Sequence, residues 1–339
     1  MIGKLWVCGA VVGLVACGDP PQAQDPSGLD SLQNTPTAES NAPLSADVDR
    51  GQKALEAGDD VGAKAAFEAA LGKNPNDAEA HYYLGLLAEQ ADDKPAAEKH
   101  YQAALASKPG LEPAAINLSA YYLDSAKYEE AAKVLEPAVA KNPQSGALLT
   151  NQALALANKG DRAGASAAFD KAERLAGGDT SVLILHAQWL TQWKQPAVAK
   201  EKLLAARKLA GDDVFKLAPI GFELKNAGAF TECNEVLDQA IQKHGSGKGA
   251  GELRVLRGLC KIGLKDNAGA LADFLAATKM EPVLSAAFYY LGGRYAEAKK
   301  WNEAEAAYAE YLNRASNGEF AEKARERLAA VQQQKKKKK

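Results

Sequence analysis

The sequence predicts an all-α fold in which pairs of helices stack into a solenoid. Three observations support this. From residue 44 onward, the 339-residue chain repeats its pattern of small and large side chains about every 34 residues. Alanine is abundant while aromatic residues make up 7%, a composition that suits closely packed helices better than strands. Proline or glycine recurs at the end of nearly every period, where a helix must stop. A period of this length is typical of stacked helix pairs.

The repeats begin at residues 44, 78, 112, 146, 180, 214, 251 and 285. Small side chains occupy the eighth position of each repeat: Gly51, Gly85, Ser119, Ala153, Ala187, Gly221, Gly258 and Gly292. The twentieth position is also small: Ala63, Ala97, Ala131, Ala165, Ala199, Cys233, Ala270 and Ala304. The twenty-fourth is always large: Phe67, Tyr101, Leu135, Phe169, Leu203, Leu237, Phe274 and Tyr308. We expect the large side chain to fill the space that the small residues leave between two helices.

Turns are marked at two places in the repeat. The thirty-second position holds a helix breaker in seven repeats: Pro75, Pro109, Pro143, Gly177, Gly211, Gly245 and Pro282. Turns between paired helices are indicated at Gly58–Asp59, Gly160–Asp161 and Lys265–Asp266. This pattern resembles the tetratricopeptide-repeat (TPR) family, although the leading tryptophan of the family pattern is missing throughout. The resemblance implies a right-handed superhelical solenoid of about eight helix pairs, with the first helix of each pair lining a concave face.

A further helix is predicted at the C-terminal end. Residues 319–334 place Phe320, Ala324, Leu328 and Val331 at helical spacing, as expected of a polar-backed capping helix. Residues 335–339 are five lysines. Two interpretations of this poly-lysine tail remain open: a solvated tail, or a contact with anionic lipid through Lys335–Lys339.

The period is broken once, where three extra residues enter a glycine-rich stretch at 244–251. We interpret the stretch as a flexible joint that separates repeats one to six (44–250) from repeats seven and eight (251–318). A phosphate-binding loop is the alternative, because the stretch contains Gly247 and Lys248. The Walker pattern requires Ser or Thr after the lysine, yet Gly249 follows it.

The N-terminus predicts secretion and lipid attachment. Residues 1–16 combine one lysine with an apolar run too short to span a bilayer, as in a signal peptide. The run ends in Val15, Ala16 and Cys17, which resembles a bacterial lipobox and implies acylation of Cys17. Cys8 is the rival, with bulky Trp6 and Val7 before it. Residues 17–43 then form a disordered tether, rich in proline and acidic residues. We therefore expect an envelope lipoprotein, in the outer membrane facing the periplasm.

Composition and spacing favour no catalytic chemistry. The formal net charge of -2 provides no general attraction to nucleic acid. No pair of the four histidines has metal-ligand spacing along the chain, so neither a metal nor a cofactor is predicted. Cys233 and Cys260 stand at packing positions of adjacent repeats, and two alternatives remain open: a disulfide, or two buried thiols. The expectation is a protein that binds other proteins, with an enzyme as the remote alternative.

The resemblance implies partner contacts on the concave face of the first helices. Carried onto this chain, the family positions give Tyr82, Leu86, Ile116, Leu123, Phe215, Phe222, Val255, Leu259 and Ile262 as partner-binding residues. An apolar groove of this kind suits a helix or an extended segment of another envelope protein. Anchor and repeats together are similar to pilotin-like lipoproteins and other envelope scaffolds. The leading hypothesis is an assembly factor for a pilus, secretin or motility complex, and the alternative is an adaptor for a peptidoglycan enzyme.

Overall fold

The structure is a computed structural model that describes residues 45–244, 247 and 249–337. The predicted signal peptide, the lipid attachment at Cys17 and the tether up to residue 43 lie outside these residues and remain predictions. Over the described ranges the regular elements are α-helices without strands, which confirms the predicted fold class.

The described residues form two compact bodies, divided between Gly177 and Gly178. The N-terminal body (45–177) contains α1 (Ala46–Glu56), α2 (Asp60–Lys73), α3 (Ala78–Gln90), α4 (Lys94–Ser107), α5 (Glu112–Asp124), α6 (Tyr128–Lys141), α7 (Gly146–Lys159) and α8 (Arg162–Leu175). The C-terminal body (178–337) contains α9 (Ser181–Gln192), α10 (Pro196–Ala210), α11 (Val214–Asn226), α12 (Phe230–His244), α13 (Ala250–Gly263), α14 (Asn267–Ala277), α15 (Ser285–Glu297), α16 (Trp301–Arg314) and α17 (Ala321–Lys336). Each predicted repeat is one helix pair.

The predicted turns within repeats are confirmed, and they share one capping arrangement. Asp59, Asp161 and Asp266 each precede a second helix, and the carboxylate of each accepts a hydrogen bond from the backbone N–H three residues later, at 2.8–2.9 Å. The bond satisfies one of the amide groups that a helix start leaves unpaired. Capping therefore sets where α2, α8 and α14 begin.

The small and large positions of the repeat pack against each other as predicted. All eight side chains at the twenty-fourth position are 2% exposed or less. A Cβ added to Gly85 would lie 2.6 Å from the ring of Tyr101, and one added to Gly258 would lie 2.6 Å from the ring of Phe274. Glycine is needed here because the partner ring occupies the space of a side chain. These contacts hold the first and second helices of a repeat together.

The C-terminal helix is present but shifted from its predicted bounds. α17 packs on α16 and buries Ala324 and Val331, in line with the predicted cap. It begins at Ala321 rather than 319. It extends to Lys336 rather than 334, because lysine is a good helix former and Lys335 pairs with Glu305 of α16. The first two lysines of the predicted tail thus belong to the helix, while Lys338 and Lys339 lie outside the described residues.

The predicted joint near residue 250 remains a prediction, since Gly245, Ser246 and Lys248 lie outside the described residues. On either side of it, α12 and α13 pack directly against each other. The helices described here include none that is both long and apolar enough to cross a lipid bilayer.

Candidate functional site

The inner face of each body is built from first helices. In the N-terminal body α5 contacts α7 directly, and in the C-terminal body α11 contacts both α9 and α13. These first helices therefore lie side by side, and we call the surface that the first helices of a body share its inner face. All nine predicted partner-binding residues lie on such helices: α3, α5, α11 and α13.

In the N-terminal body, two of these residues belong to the core. Tyr82 and Leu86 of α3 are only 8% and 9% exposed. The ring of Tyr82 packs against Tyr83 at 5.0 Å and Tyr101 at 6.2 Å between centroids, and burial raises the pKa of its hydroxyl. Both side chains therefore belong to a hydrophobic cluster that α3 shares with α4, which packs against it, and their role in partner binding remains a prediction.

Ile116 and Leu123 of α5 are half-buried against the same hydrophobic cluster. Polar side chains next to Ile116 form hydrogen bonds with one another: the Tyr101 hydroxyl donates to Oε2 of Glu89 at 2.6 Å and accepts from Nδ2 of Asn117 at 3.1 Å. This part of the N-terminal body is thus internally bonded, and it offers a partner little apolar surface that is not already packed.

The C-terminal body differs, because one aromatic residue lies almost entirely in solvent. Phe215, the second residue of α11, is 84% exposed. Two turns further along the same helix, Phe222 is half-buried and the ammonium of Lys225 lies 4.6 Å from its ring centroid. Burial lowers the pKa of Lys225, so its charge is incompletely solvated. Aromatic and cationic groups thus lie on one first helix.

A buried carboxylate braces this part of α11. Glu223 is 7% exposed, and it accepts hydrogen bonds from Nε2 of Gln188 on α9 at 2.8 Å and from Nδ2 of Asn226 at 3.2 Å. A buried charge needs such donors to offset its desolvation. The contact holds α11 on α9 and fixes the helix that carries Phe215 and Phe222.

The remaining predicted residues, on α13, are packed to different degrees. Val255 is 8% exposed and lies in a cluster with Phe274 and Leu291, so it is a core residue rather than a free groove residue. Leu259 and Ile262 are half-buried against that cluster. Among the nine predicted partner-binding residues, Phe215 is the only exposed one, and the other eight are buried or half-buried.

The two cysteines left open by the sequence form a disulfide. Cys233 of α12 and Cys260 of α13 are both fully buried, and their Cα atoms are 6.2 Å apart. The bond connects the two helices that flank the break in the repeat period. It closes a loop with a sequence separation of 27 residues across that break.

Sequence reasoning missed a pair of neighbouring histidines. His81 of α3 and His100 of α4 are 19 residues apart in the chain, yet their Nδ1 atoms lie 3.1 Å apart. Spacing along the chain does not reveal such a pair, because its members lie on two antiparallel helices. The repeat register could have found it, since the fourth and twenty-third positions of one repeat face each other across the helix pair.

Comparison with known proteins supports the repeat. A family model described as tetratricopeptide repeat matches residues 48–112 and 117–180, so these segments carry such repeats. The crystal structure of a tetratricopeptide repeat protein from Parabacteroides merdae aligns with a TM-score of 0.50 and 17% identity, over 72% of this chain and 96% of that one. This similarity shows the fold alone. No catalytic family matches the chain.

Two other solved structures are more distant. Yeast Tom70 aligns with a TM-score of 0.49 and 15% identity, over 91% of this chain and 69% of that one. YrrB, a TPR protein with an unusual peptide-binding site, aligns with a TM-score of 0.42 and 17% identity, over 56% of this chain and 96% of that one. No curated protein is similar enough in sequence to serve as a relative.

Proposed function

We propose that this chain, which carries tetratricopeptide repeats, is a protein-interaction scaffold whose partner docks on the inner face of the C-terminal body. The observation that supports the proposal most directly is Phe215, a large aromatic side chain that is 84% exposed on a first helix. Aromatic residues are enriched in protein–protein interfaces and contribute strongly to binding there.

The neighbourhood of Phe215 suggests what the partner presents. Phe222 adds a second, half-buried ring on α11, and Lys225 sits over that ring with its pKa lowered by burial. A carboxylate brought close to Lys225 would restore the stabilisation that its ammonium loses on burial. The occupant we propose is therefore a helical or extended segment with an apolar side chain for Phe215 and an acidic one for Lys225.

We further propose that the protein is anchored to the cell envelope through acylated Cys17 and acts there as an assembly factor for a pilus, secretin or motility complex. The lipobox-like residues before Cys17 support the anchor. The disulfide between Cys233 and Cys260 supports a location outside the cytoplasm, since disulfides persist in oxidising compartments.

Phe215→Ala tests the docking proposal, with Val61→Ala as a matched control. Val61 is also the second residue of its helix and is 83% exposed, but it lies on a second helix, α2. Both variants should melt like the parent, because neither side chain is packed. Phe215→Ala alone should weaken partner binding at least about fivefold, the equivalent of roughly 1 kcal/mol for an aromatic residue at an interface.

Partner binding is measured by pull-down from solubilised envelope, with quantitative mass spectrometry of the captured proteins. Phe169→Ala provides the opposite control: its side chain is fully buried, so it should lower stability by about 3–5 kcal/mol without touching a partner. Equal capture by Phe215→Ala and Val61→Ala would contradict docking on this face.

Cys17→Ala tests the anchor. The variant should leave the membrane fraction while its helical circular dichroism remains unchanged, because stable anchoring depends on the acyl chains. Continued sedimentation with membranes after a high-salt wash would show that something other than the lipid holds the protein.

A further inference from the structure

We propose that His81 and His100 form a binding site for a divalent transition-metal ion of the Zn²⁺ class. This inference is independent of the proposed scaffold function. Imidazole nitrogen is a preferred ligand of Zn²⁺, Cu²⁺ and Ni²⁺. Both residues lie within the second repeat of the N-terminal body, on α3 and α4.

The separation of the two nitrogens fits a shared ion. Their Nδ1 atoms are 3.1 Å apart. Two ligands at about 2.0–2.1 Å from one ion would be roughly 3.3 Å apart in tetrahedral geometry and roughly 2.9 Å apart in square-planar geometry. The observed distance lies between these values. In the hydrogen-bonded pair the two Nδ1 atoms point at each other, so binding requires both rings to turn until their lone pairs converge on one ion. The rings are tilted by 43° to each other, with their centroids 5.4 Å apart.

The hydrogen bond behind His81 prepares it as a ligand. Its Nε2 lies 3.0 Å from the carbonyl oxygen of Pro75. A carbonyl oxygen can only accept, so Nε2 carries the hydrogen, and Nδ1 of the neutral ring keeps its lone pair. Metal-binding histidines characteristically donate their second N–H to such a group, which fixes the tautomer and the ring orientation. Without an ion, His100 donates its Nδ1–H to His81, and on binding that hydrogen moves to Nε2 of His100.

Water molecules would complete the shell of the ion. Among the described residues, no further imidazole, thiolate or carboxylate forms a group of three ligands with His81 and His100. Zn²⁺ that is held by fewer than four protein ligands takes water in its remaining positions.

The test uses the full-length, tag-free protein in detergent, with ZnCl₂ as the probe. In the parent protein labelled with ¹⁵N-histidine, zinc should shift the Nδ1 resonances of His81 and His100. Bound zinc is counted by equilibrium dialysis against the variants His81→Asn and His100→Asn, each of which should bind one equivalent fewer or bind it more than about tenfold more weakly, since even outer-shell partners contribute 10–100-fold. His244→Asn, in the other body, is the control and should bind zinc like the parent.

Circular dichroism of each variant shows whether it folds, and the resonances of the parent protein keep the test decisive if a variant does not. Loss of zinc in both variants, together with the two shifted Nδ1 signals, would establish the site. Unshifted Nδ1 signals at millimolar zinc, or parent-like zinc binding by either folded variant, would overturn it and leave the pair as two hydrogen-bonded histidines.

Discussion

A buried charge network in the C-terminal body supports a prediction whose magnitude can be worked out from the structure. Asp273 of α14 is 3% exposed; it accepts a hydrogen bond from Nε of Arg257 at 2.9 Å and forms an ion pair with Nζ of Lys261, also at 2.9 Å. Arg257 also donates to Asp238 of α12 at 2.7 Å, and the hydrogen bond that it donates to Asp273 raises the pKa of the guanidinium. The network therefore joins α12, α13 and α14.

Asp273→Ala removes the shared acceptor and leaves two cations on α13. Removing one partner of a buried ion pair costs about 3–5 kcal/mol, because the other charge remains desolvated and unpaired. The side chains of Arg257 and Lys261 are each 18% exposed, and Arg257 keeps its bond to Asp238. Both facts reduce the loss, so we expect the free energy of unfolding to fall by about 2–3 kcal/mol.

Urea unfolding followed by helical circular dichroism measures this loss, with Asp49→Ala as the control. Asp49 pairs with Lys53 at 2.7 Å, but the two side chains are 51% and 71% exposed, so the control should leave the urea midpoint nearly unchanged. Combining Asp273→Leu with Arg257→Leu should recover part of the loss, since neither charge is then left buried alone. A cost for Asp273→Ala no larger than that of Asp49→Ala would refute the reasoning.

Two further predictions concern the disulfide and the histidine pair. Because the bond between Cys233 and Cys260 spans a separation of 27 residues, protein refolded with dithiothreitol should lose about 3–4 kcal/mol of unfolding free energy, and an unchanged urea midpoint would show that the bond does not stabilise the fold. The pKa of His100 is lowered in the folded protein, so the unfolded chain takes up this proton first as the pH falls, and stability should drop between about pH 7 and pH 5. His100→Gln should flatten that part of the pH–stability profile measured by thermal melting, and a profile identical to the parent would contradict the assignment.

Most of the fold could be predicted from the sequence, because the residues that cap the helices and pack each helix pair lie close together in the chain. Asp59, Asp161 and Asp266 cap their helices through bonds that span three residues, and such short-range contacts are visible in the sequence itself. The alternation of small and large residues recurs in every repeat, as with Gly85 against Tyr101, so eight copies of one packing rule reinforce each other. The sequence did not predict the end of α17, because its last turn depends on a contact between Lys335 and Glu305 of the preceding helix α16, 30 residues away in the chain.

The candidate site depended on tertiary packing much more than the fold did. Family positions placed Tyr82, Val255 and Phe215 on one face, and the repeat alone could not tell them apart. Neighbouring helices bury Tyr82 and Val255, whereas Phe215 stays 84% exposed among the described residues of its body. Exposure is decided by what packs against a residue rather than by its position in the repeat.

The sequence by itself determined the helices, their pairing and the residues that hold each pair together, because those features depend on contacts within a repeat of about 34 residues. Only the tertiary structure decided that Cys233 meets Cys260, that Asp273 is shared by two cations, and that His81 faces His100. Each of these contacts joins side chains from different helices, and its existence depends on helix rotation and approach to within an ångström. A repeat pattern predicts which helices are neighbours, but which side chains meet across their interface depends on the rotation of the helices and on how closely they pack.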